Sequence, residues 1–318
     1  MPTWGQILGE IRAKIKEGDE QAFDSTRNKY LKDLAKYTGR DTIVYASRWT
    51  TGDAPPNLIS ITDEDIHAFM EALYGLSGNK LDLILHTGGG SAEATDAIVS
   101  YLRQKYDYIR VIIPQAAMSA GTMLACAADV IVMGKQSSIG PIDPQFILQT
   151  SVGIQAIPAH AILEQFEMAQ KDCRKNPKNL NSWLPMLSQY GPALLVRCQD
   201  QIDFGKELVK NWLGEYMFNQ EDNNQNLPDS IATYLSEHKN FKTHGKHLSI
   251  TTAEDIGLKI EQLESDQDFQ EKVLSAFHAT MCAFASTNTA KIISNHNGNC
   301  YMKKYHIPKS RNPQRKRK

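Results

Sequence analysis

Three consecutive glycines and one serine are the residues of this sequence whose types and spacing could do chemistry. The glycines, 88 to 90, follow a threonine in the segment TGGG, and their main-chain N–H groups can face a ligand without an intervening side chain. Ser119 stands about thirty residues later among small neighbours in AAMSAGT, where the start of a helix favours a developing negative charge. A hydroxyl beside main-chain donors is the pairing that acyl transfer needs.

Each segment has a plainer explanation when it is taken alone. The glycines could form a simple tight turn or bind a nucleotide phosphate, although neither the dinucleotide-binding glycine pattern nor the P-loop pattern occurs. A serine at the start of a helix most often caps that helix by accepting a backbone hydrogen bond. Acyl transfer becomes the favoured chemistry only if the two segments lie side by side.

The surrounding pattern predicts elements that bring the two segments together. Buried-strand patterns at 81–86 and 109–114 come shortly before the glycines and the serine, and similar patterns occur at 42–47 and 130–134. Helical patterns separate these strands, which predicts a largely parallel sheet with right-handed crossovers. Because the carboxyl ends of parallel strands share one edge of a sheet, we expect the glycine turn and Ser119 at that edge.

Composition and periodicity divide the chain into five predicted parts. These are an N-terminal helical arm (1–40), an α/β core (41–157), a helical insert (158–228), a return to the core (229–295) and a basic disordered tail (296–318). The last sixteen residues carry eight Lys or Arg, and subtracting eight from the net charge of -1 leaves -9 on the remainder. Such a tail could contact nucleic acid, anionic lipid or an acidic protein, or could serve solubility alone.

Cysteine usage and the N-terminus predict a cytoplasmic protein. The five cysteines are odd in number and form no CxxC pair, which favours reduced thiols. The N-terminus lacks the basic start and apolar run of a secretory signal. The apolar stretch 111–133 contains Asp129, whose insertion into a membrane would cost about 3 kcal/mol, so that stretch is predicted to be strand, turn, helix and strand. Peripheral membrane association through the tail stays open.

Two segments resemble a known family, the Clp-fold serine proteases: HTGGGSAEATDAIVSYL and IIPQAAMSAGTMLACAADVIVMGKQSSIGPIDPQ. Within it they are most similar to the serine dehydrogenase proteinases, which are related to Clp protease and signal peptide peptidase A. The resemblance implies a Clp protease/crotonase-like α/β fold, with a mostly parallel sheet, flanking helices, an N-terminal helical arm and a helical insert. It makes Ser119 the nucleophile and puts Asp143 in a wall of the cleft. The implied oxyanion hole consists of backbone N–H groups at Gly89 or Gly90 and at Ala120.

Two positions depart from the usual sequence of the family. Gly88 stands where related sequences usually have proline, and Ala120 stands where glycine is commoner. Neither change removes a backbone N–H group, because glycine adds one that proline lacks and alanine keeps its own. The implied oxyanion donors are therefore retained.

Two histidines compete for the role of general base, which the sequence leaves open. Histidine suits proton abstraction near neutral pH. His160 comes 41 residues after Ser119, a place that resembles that of the catalytic lysine in signal peptide peptidases, and Glu164 lies one helical turn further on. His244 lies in the segment THGKH, where Clp proteases carry the acidic member of their triad.

Two further residues stand near the predicted site. His86 ends the strand before the glycine turn and could project into the cleft or be a strand-end histidine with satisfied hydrogen bonds. Asp143 could orient the base or simply end a turn before Pro144.

We predict a serine endopeptidase-like hydrolase that acts on a peptide or protein substrate, uses no metal or cofactor, and forms a homo-oligomer as its relatives do. His238, His244 and His247 lie within ten residues of one another, but no HExxH motif occurs and nearby carboxylates are lacking. Two other classes stay open. One is a crotonase-type acyl-CoA enzyme, in which the same oxyanion donors bind a thioester enolate, and the other is a noncatalytic oligomeric scaffold of the same fold.

Overall fold

A seven-stranded sheet forms the centre of the computed structural model, which describes residues 3–150, 152–219 and 226–305. In chain order the strands are β1 (Asp41–Ser47), β2 (Lys80–His86), β3 (Tyr108–Ile113), β4 (Ala116–Ala117), β5 (Val130–Met133), β6 (Ser138–Ile139), β7 (Gln145–Thr150), β8 (Gly153–Pro158), β9 (Ile260–Gln262), β10 (Thr289–Asn295) and β11 (Cys300–Lys304). The helices are α1 (Trp4–Lys16), α2 (Ala22–Thr38), α3 (Pro56–Ile59), α4 (Asp65–Leu73), α5 (Ala92–Arg103), α6 (Ala120–Cys126), α7 (Ala159–Lys175), α8 (Leu180–Leu187), α9 (Leu194–Trp212), α10 (Leu227–Ser236), α11 (Ile250–Asp255) and α12 (Gln267–Ser286).

The strand order across the sheet is β11-β10-β1-β2-β3-β5-β9. The pairs from β1 to β9 are parallel, whereas β10 and β11 add an antiparallel edge next to β1. Strands β1 to β3 and β5 are rich in Val, Ile and Leu and are almost wholly buried, as parallel strands covered on both faces must be. The predicted α/β class with a mostly parallel sheet is confirmed.

Helices cover both faces of the sheet. On one face lie α4, α5, α6, α10 and the end of α9, which share the largest apolar core with the sheet. On the other face α2 and α12 pack against each other and against the sheet, and α1 packs on both of them. None of the helices in the described part of the chain combines the length and apolar character that a bilayer-spanning segment needs.

A β-hairpin and three helices extend from the core after Asp143. Strands β7 and β8 pair with each other alone. One side of the hairpin packs on α7 and α9 through Phe146, Leu148 and Ile157. The insert is helical as expected, but the hairpin before it was not predicted, because its mixed apolar run has no clear alternation.

The structure corrects the predicted start of the C-terminal tail. Residues 300–304 form β11, which pairs antiparallel with β10, so the chain does not leave the fold at 296. Residues 306–318 of the predicted tail lie outside the described residues. At the other end, the helices predicted as an arm are integrated, because α2 packs along α12.

Candidate active site

The glycine turn and the serine segment meet through backbone hydrogen bonds at the carboxyl ends of β2 and β3. Thr87, directly after β2, pairs with Ala117 of β4 in a parallel bridge. The Thr87 N–H donates to the carbonyl of Ala116 at 3.2 Å, and the Met118 N–H donates to the carbonyl of Thr87 at 2.9 Å. The bridge therefore ends one residue before Ser119.

Ser119 has a backbone conformation that is rare for a residue with a side chain. Its φ of 52° and ψ of -120° lie on the left-handed side of conformational space, where such residues are strained. It occupies the position that precedes α6, yet its side chain makes no capping hydrogen bond. The side chain is partly exposed and lines a cleft of about 590 Å³. A sharp strand-to-helix turn of this kind presents a hydroxyl to a substrate.

Two glycines approach their neighbours more closely than a side chain would permit. A Cβ atom on Gly89 would lie 2.7 Å from Ser119 Cβ and 3.0 Å from the backbone nitrogen of Ala120. Gly89 also has a φ of 101°, which favours glycine. A Cβ atom on Gly90 would lie 2.3 Å from both the backbone N and O of Ile61. Both contacts require glycine; the one at Gly89 brings the turn directly against the serine, and the one at Gly90 packs the turn against Ile61.

Two residues that line the cleft with Ser119, Gly90 and Ala120, have N–H groups that donate to no acceptor within the described ranges. The bridge between Ile61 and Gly90 uses the Gly89 carbonyl, 2.9 Å from the Ile61 nitrogen, and the N–H of the residue after Gly90. The Gly89 N–H instead donates to Thr87 Oγ1 at 3.1 Å. Of the two glycines predicted as oxyanion donors, Gly90 is the one whose N–H remains available.

A buried ion pair stabilises the segment around Ser60 and Ile61, which pairs with the glycine turn. Lys291 of β10 and Asp65 of α4 are fully buried and lie 2.7 Å apart. Lys291 Nζ also donates to the carbonyl of Ser60 at 2.6 Å, and Tyr45 donates to Asp65 at 2.7 Å. Burial lowers the pKa of Lys291, and the carboxylate of Asp65 opposes that shift. The network fixes the chain next to the residue that bridges Gly90.

Asp143 holds a histidine in the wall of the cleft. Its fully buried carboxylate accepts a hydrogen bond from His244 Nδ1 at 2.7 Å and another from His238 Nδ1 at 3.1 Å. His244 lines the same cleft as Ser119, and its Nε2 is the ring nitrogen that is not bonded to Asp143. No hydrogen bond joins Ser119 to His244 in the described structure. In hydrolases, the hydrogen bond between a nucleophile and its base is often long in the absence of substrate and shortens when substrate binds.

Backbone pairing explains how Asp143 and His244 meet although 101 residues separate them. Ile139 and Leu248 form an antiparallel bridge, with N–H to O distances of 3.1 and 2.9 Å. The Ile142 N–H donates to the carbonyl of Leu235 at the end of α10, at 3.0 Å. These contacts bring the 238–247 segment against the loop that carries the aspartate.

The other predicted base, His160, lies elsewhere. Its Nε2 donates to the backbone carbonyl of Ser236 at 3.0 Å, and it is not among the residues that line the cleft. The structure therefore brings Ser119, Asp143 and His244 together with the glycine turn and leaves His160 outside that group.

His86 fits neither of the two alternatives considered for it. It is fully buried between Trp49 and Phe277, with ring centroids 5.6 and 5.3 Å away. Neither ring nitrogen makes a hydrogen bond of ordinary geometry. Burial lowers the pKa of His86 to about 4, so the ring is neutral at physiological pH.

Two of the three clustered histidines share one carboxylate, and the third contacts a hydroxyl group. His238 and His244 bind Asp143, whereas His247 Nδ1 lies 2.6 Å from Ser138 Oγ. Across the described residues, no group of three His, Cys, Asp or Glu side chains is arranged to hold a metal ion.

Sequence reasoning missed an ionised group in the cleft, Glu93. Its carboxylate accepts hydrogen bonds from Gln201 of α9 at 3.0 Å and from Ser91 at 2.8 Å. Burial opposes ionisation of Glu93, but hydrogen bonds from the backbone, Gln201 and Ser91 outweigh it and lower the pKa. Only the fold could reveal this contact, because α5 and α9 are far apart in sequence.

Comparison with known proteins identifies the family. The family described as ClpP-like SDH-type serine proteinase matches residues 56–266, and the chain belongs to it. Two uncharacterized proteins of Methanocaldococcus jannaschii, MJ0137 and MJ1495, are 42% and 43% identical to this chain over 86 residues, which is 27% of this chain. The matched region spans only 30% and 27% of those two relatives.

Several solved structures are similar at low sequence identity. A mutant of the 1510-N membrane-bound stomatin-specific protease has a TM-score of 0.39 at 16% identity, covering 67% of this chain and 79% of that one. A mutant of ClpP1 from Listeria monocytogenes has a TM-score of 0.36 at 15% identity, covering 74% and 96%. An enoyl-CoA hydratase/isomerase from Marinobacter aquaeolei has a TM-score of 0.34 at 12% identity, covering 77% and 79%. Similarities this weak decide nothing about activity.

Proposed function

We propose that this chain is a serine peptidase in which Ser119 is the nucleophile, His244 the general base and Asp143 the carboxylate that orients the base. The observation that carries the proposal is the hydrogen bond of 2.7 Å from His244 Nδ1 to the buried Asp143, made by a ring that lines the same cleft as Ser119. That bond selects the tautomer with Nε2 unprotonated, which is the form able to accept a proton.

The proposed reaction follows from these positions. Ser119 Oγ attacks the peptide carbonyl carbon while its proton passes to His244 Nε2, and the carbonyl oxygen becomes an oxyanion held by the N–H groups of Gly90 and Ala120. The C–N bond then breaks, and the proton on His244 passes to the leaving amine. Water repeats the sequence on the acyl-enzyme and releases the acid. Asp143 stays ionised and stabilises the transient imidazolium.

The residues that line the cleft favour a peptide substrate. Apolar side chains and uncharged amides line it together with Glu93 as the ionised group, and nothing among the lining residues is Lys or Arg. A CoA thioester carries phosphates that normally seek cationic groups, so the acyl-CoA alternative lacks support. Ser119 in a strained turn also argues against a noncatalytic scaffold, since such strain is costly.

We propose in addition that the chain self-associates. Exposed apolar side chains support this, on the hairpin at Ile147 and Ile154 and on the insert at Met168, Leu184 and Val196, because apolar surface of this kind marks interaction sites. Contact of the basic tail with nucleic acid, anionic lipid or an acidic protein stays a prediction, since residues 306–318 are outside the described structure.

Two histidine variants test the proposed base. In a fluorogenic peptide assay, His244→Gln should lower kcat by about 1,000-fold, since general-base catalysis and imidazolium stabilisation are both lost. The matched control is His160→Gln, which removes the same ring at a site outside the cleft and should keep kcat within about threefold of wild type. A large loss in His160→Gln with little loss in His244→Gln would reverse the assignment.

A further inference from the structure

The carboxylate of Asp143 accepts hydrogen bonds from two imidazoles, whereas a catalytic triad needs only one. Oδ1 accepts from His244 at 2.7 Å, while Oδ2 accepts from His238 at 3.1 Å and from the amide of Gln145 at 3.3 Å. Both carboxylate oxygens are therefore occupied. A triad uses only the first of these bonds, so the role of His238 needs a separate explanation.

The fold holds His238 in place beside Asp143. His238 lies two residues after the end of α10, and its carbonyl accepts the N–H groups of Phe241 and Lys242 at 3.0 and 2.8 Å. Phe241 is buried in the main core. The His238 side chain is 22% exposed while that of Asp143 is 0% exposed, so solvent can protonate the histidine but reaches the carboxylate poorly.

Four charged or titratable groups near this site have partners of their own. On the same segment, Glu237 and Lys239 pair with each other at 2.8 Å. From α7, His160 is bonded to the Ser236 carbonyl, and from the far end of the segment His247 is bonded to Ser138. The two imidazoles on Asp143 therefore share a single counter-charge.

Sharing one buried carboxylate couples the two rings. When His244 takes the proton of the serine during the reaction, Asp143 stabilises the positive charge. If His238 is already protonated, the same carboxylate is partly neutralised, and a second positive charge beside it is unfavourable in a poorly solvated place.

We propose that His238 is a positioning residue that fixes Asp143 for His244, and that its protonation switches the peptidase off as the pH falls. This inference rests on the proposed function. The prediction is that loss of activity on acidification follows the uptake of two protons, one on His244 and one on His238.

The pH profile of kcat/KM tests the inference on the full-length protein. On the acidic side, the slope of log kcat/KM against pH in wild type should be about 1 where the first proton binds and steepen to about 2 at lower pH, where the second binds. In His238→Asn it should stay at about 1, because the amide nitrogen can replace Nδ1 as a donor without titrating. At neutral pH, His238→Ala should lose about tenfold in kcat with KM little changed, and His238→Asn should lose less. The control His247→Asn changes a histidine bonded to Ser138 and should keep the wild-type slope.

A second measurement does not depend on turnover. In NMR titrations with labelled histidine, the ring signals of His238 and His244 should each follow two steps in wild type, and the His244 signal should follow one step in His238→Asn. Single-step curves in wild type, or an acidic slope of about 2 that persists in His238→Asn, would overturn the inference. Absence of all peptidase activity would contradict the proposed function instead, and the NMR result would still decide the coupling.

Discussion

Replacing Gly89 with alanine should disable the site while leaving most of the fold intact. The new Cβ would lie 2.7 Å from both Ser119 Cβ and the Met118 carbonyl oxygen, whereas ordinary contact begins at 3.4 Å. Relief of that overlap requires a displacement of about 0.7 Å, and misplacement of about 1 Å can cost roughly 100-fold in rate. The backbone nitrogen of Ala120 lies only 3.0 Å from the same Cβ, so the overlap also displaces a proposed oxyanion donor. Loss of one such donor costs about 100- to 1,000-fold in rate.

The expected result for Gly89→Ala is a fall in kcat of about 100- to 1,000-fold. The φ of 101° at this position should add about 1–3 kcal/mol of strain, so folding must be measured beside activity, by circular dichroism melting and by a fluorogenic peptide assay on the same samples.

Gly88→Ala is the matched control for this experiment. The atoms nearest to a Cβ there belong to the Trp49 side chain, at 3.3 Å, and Gly88 has no positive φ. We expect its kcat within about threefold of wild type. If folded Gly89→Ala were as active as folded Gly88→Ala, the assignment of the glycine turn to the oxyanion site would be refuted.

Two further predictions concern charge. Asp143→Asn should lower kcat by about 1,000- to 10,000-fold, because a neutral amide cannot stabilise the His244 imidazolium, and a loss below tenfold in steady-state assays would contradict the triad. His86 has its pKa lowered from 6.5 to about 4 by burial, so the unfolded chain binds a proton over that interval that the native state does not. The contribution of His86 to the free energy of unfolding is therefore fully present above about pH 6.5, and about 3 kcal/mol of it is lost as the pH drops to 4. Urea titrations at pH 7.5 and 4.5 should show a smaller acid loss in His86→Phe than in wild type, and equal losses would exclude this contribution.

The sequence was enough to predict the central fold and the two segments of the site. Strands 42–47, 81–86 and 109–114 have apolar patterns that only a covered sheet explains, and β1, β2 and β3 lie within one residue of them. Local patterns also placed the glycines and Ser119 at strand ends, where parallel topology brings them together.

Elements that depend on distant pairing were harder to predict. The edge strand 300–304 was read as tail because its lysines and tyrosine form a strand only when β10 pairs with it. Helix α12 and strand β10 were not predicted as separate elements within the return to the core, although α12 supplies much of the second core.

The choice between the two histidines also required the fold. The sequence supports His160 and His244 about equally as the general base, and no local pattern distinguishes them. What separates them is the Ile139–Leu248 bridge, which brings the 238–247 segment to Asp143, and the Ser236 carbonyl, which occupies Nε2 of His160. Contacts between segments about 100 residues apart leave no periodic signal in the sequence.

Covalent labelling of Ser119 tests the central claim most directly. The wild-type protein should react with a fluorophosphonate probe, gain one adduct by intact-mass spectrometry, and yield a modified peptide whose fragments place the adduct on Ser119. Ser119→Ala should gain none, and Asp143→Asn should react far more slowly. An adduct that persists in Ser119→Ala, or a folded wild-type protein that acquires no adduct and cleaves no peptide, would contradict the proposed mechanism.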